Sequence, residues 1–157
     1  MNHEVAPDHA QALAPPVYIF GAFLALGVIV DFLWPVWSLD LSRRGLAFLG
    51  FFVPGVILAR RTFASFKSTG TSANPYASVS AIIRTGPFAF SRNPIYVAMC
   101  LIHAGVALGI GGLYSLLALV PVLLIMHFGV VLREEAYLER KYGAQYQDYK
   151  ADVRRWL

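Results

Sequence analysis

The sequence predicts an all-α integral membrane protein: four apolar helices followed by an amphipathic, helical C-terminal tail. Three observations lead there. Of 157 residues, 57% are hydrophobic and 14% charged, against about 25% charged in soluble domains. The apolar residues fall into long runs, each near the length needed to cross a bilayer. The Lys and Arg residues gather between those runs, almost all on one side of them.

A chain of this length makes one membrane domain. Its net charge of +4 does not indicate nucleic acid, because the basic residues flank apolar spans instead of forming a stripe with stacking aromatics. A bilayer with anionic headgroups is the simpler partner.

In chain order, residues 1–16 form a retained tail, which carries Glu4 and Asp8 but no basic n-region of a signal peptide. The first span is 17–34, apolar except for Asp31, which lies near its end and reaches the interface in a structural role. Trp34, Trp37 and the stretch Ser38 to Arg44 give an interfacial connector. The second span is 45–59, kinked at Pro54-Gly55. It continues amphipathically through Arg60 and Arg61 to Phe66 along the headgroups.

The loop 60–93 holds the longest polar stretch. Phe63, Phe66, Tyr76, Phe88 and Phe90 argue that it is functional and ordered. Asn93 suits an N-cap and Pro94 the first helical position, so a third span starts there and runs to 109. Gly109-Ile-Gly-Gly112 makes a tight turn into the fourth span, 113–132. In the tail 133–157, Leu138, Tyr142, Tyr146, Tyr149, Val153 and Trp156 recur at helical spacing. Gly143 breaks that tail into two helices. It packs on the bundle or the headgroups and can close over a ligand.

With four spans, eleven of the thirteen Lys and Arg residues share one side and only Arg43 and Arg44 lie on the other. The positive-inside rule then places loop 60–93 and both termini in the cytoplasm.

The cytoplasmic foot of the 94–132 hairpin collects Arg92, Asn93, Tyr96, Arg133, Glu134 and Glu135. Paired carboxylates suit ammonium and hydroxyl groups, and an arginine fork suits a carboxylate or phosphate. A polar collar at the membrane exit is the alternative. His103 and His127, inside the spans, are expected to hydrogen-bond neighbouring helices, and the lone Cys100 is expected to act as a small buried hydrophobe. No Cys/His spacing suits a metal site. No phosphate loop is present, and no strand precedes Gly109-Ile-Gly111.

Four blocks then carry a resemblance: Asn74-Pro75, Thr85-Gly-Pro-Phe-Ala-Phe-Ser-Arg-Asn-Pro-Ile-Tyr96, Arg133-Glu-Glu-Ala-Tyr-Leu-Glu139 and Tyr142-Gly-Ala-Gln-Tyr-Gln-Asp-Tyr149. In order and spacing they resemble bacterial members of the isoprenylcysteine carboxyl methyltransferase family, within the phospholipid-methyltransferase-like membrane enzymes. The resemblance covers about 60–157. It implies transfer of a methyl group from S-adenosylmethionine to a lipophilic or lipid-linked acceptor, a carboxylate or an amine, at the cytoplasmic membrane face of a bacterial inner membrane.

The family's Arg-His-Pro-x-Tyr motif falls on Arg92-Asn93-Pro94-Ile95-Tyr96. Asn93 there can exchange hydrogen bonds but cannot carry a proton. The resemblance assigns cofactor binding to Arg92, Asn93, Pro94, Tyr96, Glu135, Tyr142 and Tyr146. It assigns catalysis to Arg133, which orients a carboxylate acceptor, and to Glu134; if the acceptor bears a proton, Glu134 or Glu135 is the candidate base. Two rival expectations stand beside it. One is an NADPH-dependent membrane reductase of the steroid-reductase type, with Arg84 and Arg92 on the 2′-phosphate. The other is a membrane interaction protein without catalysis.

Overall fold

The computed structural model describes residues 8–36, 40–72, 74 and 76–157. The expected positions of Glu4, Trp37, Ser38 and Pro75 lie outside the described residues. Five helices are found: α1 (Pro16–Leu33), α2 (Leu41–Ser68), α3 (Pro94–Ile110), α4 (Leu113–Tyr142) and α5 (Ala144–Asp152), with a 3₁₀ turn at Gly86–Ala89. Among the described residues there is no strand. α1, α2 and α4 are long and apolar enough to cross a membrane, whereas α3, equally apolar, has 17 residues.

Local chemistry sets most helix ends. Asp40 caps α2, its Oδ1 accepting from Arg43 N at 3.0 Å. α2 therefore begins before the expected Gly45. Beyond the expected span end at 59 it continues through Arg60 and Arg61, reaching Ser68 where Phe66 was expected, so the irregular loop starts only at Thr69. α3 starts at Pro94 and ends with Gly111 in the left-handed region at φ 73°. Gly112 N donates back to Ala107 O at 2.9 Å, which closes the expected glycine turn.

Helices α2 and α3 cross closely because glycines face the crossing. A Cβ on Gly105 would stand 2.7 Å from Phe52 N, and one on Gly55 would stand 3.0 Å from Ala98 O. α1 meets the start of α4 the same way, a Cβ on Gly27 falling 2.5 Å from Ser115 Cα. There Asp31 supplies the cap that α4 lacks locally, accepting from Tyr114 N at 2.9 Å, Ser115 N at 2.8 Å and Ser115 Oγ. His103 Nε2 lies 2.9 Å from Ser115 O. Both polar residues thus knit helices together at the end of the bundle away from the site. Phe20 and Ile19 of α1, Tyr96 of α3 and Val122, Met126, Val130 and Val131 of α4 form the buried core.

α4 departs from regularity in a π turn at His127–Val131 and then continues to Tyr142 without leaving helical geometry. Gly143, at φ 51°, ends it and α5 follows, as the tail pattern predicts.

The segment 8–15 is no loose tail. It runs antiparallel along α4 as a strap: Leu13 N donates to Gly129 O at 3.0 Å, Arg133 Nη1 to Gln11 O at 3.0 Å, and the Tyr137 hydroxyl to Asp8 Oδ1 at 2.9 Å. The Lys141 ammonium meets the same Asp8 oxygen at 2.7 Å, and the Tyr76 hydroxyl donates to Ala12 O at 3.0 Å. The strap, the loop 69–93, the start of α3 and the end of α4 therefore gather at one end of the bundle.

Candidate active site

At that end lies a cavity of about 120 Å³, walled by Thr71, Ser72, Asn74, Val79 and Ala81 to Ile83 of the loop, the turn at Phe88, the 92–96 block, the α4 extension and α5. Ala10 of the strap and Phe66 of α2 complete it.

Glu135 is the electrostatic centre. It is 6% exposed, and Arg155 closes a two-point fork on it, with Nε 2.9 Å from Oε1 and Nη2 2.8 Å from Oε2. Arg92 Nη1 is 3.2 Å from Oε1, but outside hydrogen-bond geometry. Arg92 Nε and Nη1 are both buried without a hydrogen-bond partner in the protein. Guanidinium N–H groups buried without hydrogen bonds are costly even beside a carboxylate, because they lose water and gain no acceptor in exchange.

The neighbouring carboxylate is handled differently. Glu134 Oε1 accepts from the Tyr96 hydroxyl at 2.7 Å. Among the described residues no Lys or Arg lies within ion-pair distance of it. Successive residues on α4 thus carry one carboxylate held between arginines and one left to a neutral phenol.

Asn93 sits at the N-cap position, but its side chain makes no cap. Its Nδ2 instead donates to Arg155 O at 3.0 Å, while Arg92 N donates to Arg154 O at 3.0 Å. The C-terminal segment is so tied, main chain to loop, beneath the cavity. Pro94 is buried and lines the wall.

α5 contributes the aromatic side. Tyr146 is 2% exposed, and burial, aided by Glu135, pushes its phenol pKa well up against the opposing pull of Arg92. Tyr149 donates to Phe88 O at 2.7 Å, and burial raises its pKa to about 12. Arg84 lies 5.6 Å over the Tyr149 ring and donates to Gln145 O.

Of the residues nominated from sequence, Arg92, Asn93, Pro94, Tyr96, Glu134, Glu135 and Tyr146 line this one cavity. Two do not. Arg133 is exposed and holds the strap through Gln11. Tyr142 donates to Val79 O at 2.7 Å, bracing the outside of the loop. Sequence reasoning passed over Tyr137, Arg155 and the strap. Tyr137 lies inside the Arg133–Glu139 block and at helical spacing from Glu134, which was a usable signal. Arg155 gave none, since its partner lies 20 residues back across a turn.

A model of the phospholipid methyltransferase family matches residues 44–145. A Haemophilus influenzae protein, described only as uncharacterized, is 36% identical over 63 residues, which are 40% of this chain and the whole of that relative. No solved structure matches.

Proposed function

We propose that this chain, which belongs to the phospholipid methyltransferase family, is a membrane enzyme that methylates a lipophilic or lipid-linked amine with S-adenosylmethionine as donor. One observation carries the reading beyond the family: a buried guanidinium with unpaired N–H groups, a carboxylate without a cation and a set of tyrosine rings converge on a single cavity.

The residues fit such a cofactor. Arg92 offers its unpaired N–H groups to a carboxylate. Tyr146, Tyr149 and Phe88 offer ring faces to an adenine or a sulfonium. When bound, S-adenosylmethionine supplies an electrophilic methyl carbon. The protein's part is then mostly positioning, since in-line displacement rewards aligned reactants.

Glu134 supports an amine over a carboxylate as acceptor. An ammonium headgroup would be drawn to its unpaired carboxylate and would pass a proton to it, freeing the amine lone pair to attack the methyl carbon as the C–S bond breaks. A carboxylate acceptor would need a cation in that place, and Arg133, expected there from the sequence, is occupied by the strap. The reductase alternative loses Arg84, which is engaged with Gln145 O and the Tyr149 ring.

In this reading all four long apolar helices cross a bacterial inner membrane, α3 at its thinnest fit. Loop 69–93 and both termini face the cytoplasm, where the cofactor is met.

The test is calorimetric titration of S-adenosylmethionine and S-adenosylhomocysteine into the detergent-purified protein, with Arg92→Ala alongside. Micromolar binding lost in the variant is the expected result. Folded protein that binds NADPH and neither adenosyl ligand would sink the proposal.

A further inference from the structure

We propose that Arg155 is a positioning residue for an oxyanion of the ligand, acting through Glu135 on Arg92; the inference rests on the methyl-transfer reading above. Arg155 lies outside the family match at 44–145 and touches the site from the end of the chain.

The argument is one of valence. A buried carboxylate facing two guanidiniums can be forked by only one of them. Arg155 takes that fork, filling Oε1 and Oε2 at 2.9 and 2.8 Å. Arg92 is left with proximity, 3.2 Å from Oε1, but with Nε and Nη1 unpaired. Its side chain is 8% exposed, and it lines the cavity. Remove Arg155, and among the described residues the free carboxylate has Arg92 as its remaining ion-pair partner. Arg92 then turns its N–H groups onto Glu135 and away from the ligand.

The ion cluster gives the same direction. One carboxylate and two guanidiniums carry an excess positive charge, held in a largely buried setting, and an anion entering beside Arg92 restores balance. Arg155 itself is anchored from the main chain, where its carbonyl accepts from Asn93 Nδ2 at 3.0 Å. Asn93 and Arg155 thus set the fork from opposite sides. The oxyanion is a carboxylate on the cofactor's amino-acid end or a phosphate on the acceptor, which share this chemistry.

The experiment uses the full chain in detergent, with Arg155→Ala, Arg155→Lys, Arg92→Ala and Arg92→Ala/Arg155→Ala. Each is titrated with S-adenosylhomocysteine and with 5′-methylthioadenosine, which keeps the nucleoside and thioether but lacks the amino-acid end. A second arm titrates a short-chain phosphatidylethanolamine at saturating S-adenosylhomocysteine.

For a cofactor carboxylate, Arg155→Ala weakens S-adenosylhomocysteine binding by about tenfold or more and leaves methylthioadenosine unchanged. Arg155→Lys, a point charge without a fork, does no better, and the double variant is no weaker than Arg92→Ala alone. For an acceptor phosphate, the same loss falls on the phospholipid arm. Equal losses for both nucleosides would overturn the inference in favour of a structural role. So would Arg155 variants that bind every ligand like the wild type. If the folded wild type binds neither nucleoside, the methyl-transfer reading falls and takes this inference with it, an outcome distinct from the other two.

Discussion

The Tyr96 hydroxyl donates to Glu134 Oε1 at 2.7 Å, joining the first turn of α3 to the part of α4 that emerges beyond its apolar run. If Glu134 accepts the acceptor's proton, Glu134→Gln keeps the shape and loses the base. We expect its kcat to fall by about 10²- to 10⁴-fold, with S-adenosylhomocysteine affinity little changed. Tyr96→Phe should fall less, since the base survives without its hydrogen bond. Steady-state kinetics beside calorimetry separates the two, and an unchanged kcat in Glu134→Gln would remove the residue from catalysis.

Glu135 should matter to folding more than its neighbour. Glu135→Ala leaves two guanidiniums facing each other over a hole, and breaking a buried pair from one side costs about 3–5 kcal/mol. Thermal unfolding in detergent should show a clear drop in Tm, smaller for Glu134→Ala. Equal Tm values would mean that the Arg92–Glu135–Arg155 cluster is solvated after all.

The strap should loosen in acid. Hydrogen bonds to Asp8 from Lys141 first, then from Ser78 and Tyr137, hold its pKa at about 2, below the ordinary 3.8. A carboxylate with a depressed pKa contributes fully above the unfolded value and loses that contribution as pH falls through the folded one. Pepsin, which cuts in this range, should leave the strap intact near pH 4 and release it as pH approaches about 2. Asp8→Asn should be cut equally at both. Equal rates in wild type and variant near pH 4 would argue that the main-chain bonds at Gln11 and Leu13 hold the strap alone.

Close helix crossings predict a graded glycine series. Gly27→Ala and Gly105→Ala would push a Cβ to 2.5 Å from Ser115 Cα and 2.7 Å from Phe52 N, backbone atoms that yield poorly. Each should cost about 1–3 kcal/mol. Gly21→Ala, with nothing within 4 Å, should leave the unfolding midpoint unchanged or higher, since the helix gains propensity. The same cost at all three positions would point to membrane insertion and not packing.

What was legible in the sequence was what a few adjacent residues decide. Pro94, Gly111-Gly112 and Gly143 each mark a boundary through local backbone chemistry, whereas the side-chain cap expected of Asn93 is not made. Although the amphipathic run through Arg60 and Arg61 to Phe66 signalled that α2 outlasts its span, its start at Leu41 was not legible, because Ser38 to Arg44 look like an interfacial connector. Nor was the strap. Its anchors are main-chain groups and a carboxylate paired with residues far along the chain, ranging from Tyr76 with Ala12 across 64 positions to Arg133 with Gln11 across 122. That distance also explains Arg133, whose motif marks the right helix turn while its guanidinium serves the strap. Tyr142 and Tyr146 look alike in a helical repeat, yet Gly143 between them turns one to the loop and the other into the cavity.

The π turn at His127–Val131 acts as a phase shift inside α4. It takes in one residue more than an α turn, so every side chain beyond it lags by about 100° the angle that unbroken α winding would give it. The apolar half of the helix answers to the bundle and the lipid, while the polar half presents Glu134, Glu135 and Tyr137 to the cavity. With the extra residue between them, the two halves need not share one angular register, and either can drift in sequence without misaiming the other. A single deletion, ordinarily ruinous in a packed helix, would here restore regular winding and leave the polar face on its target. Among related chains, length at this one place should therefore vary by one residue without changing the facing of the residues after it.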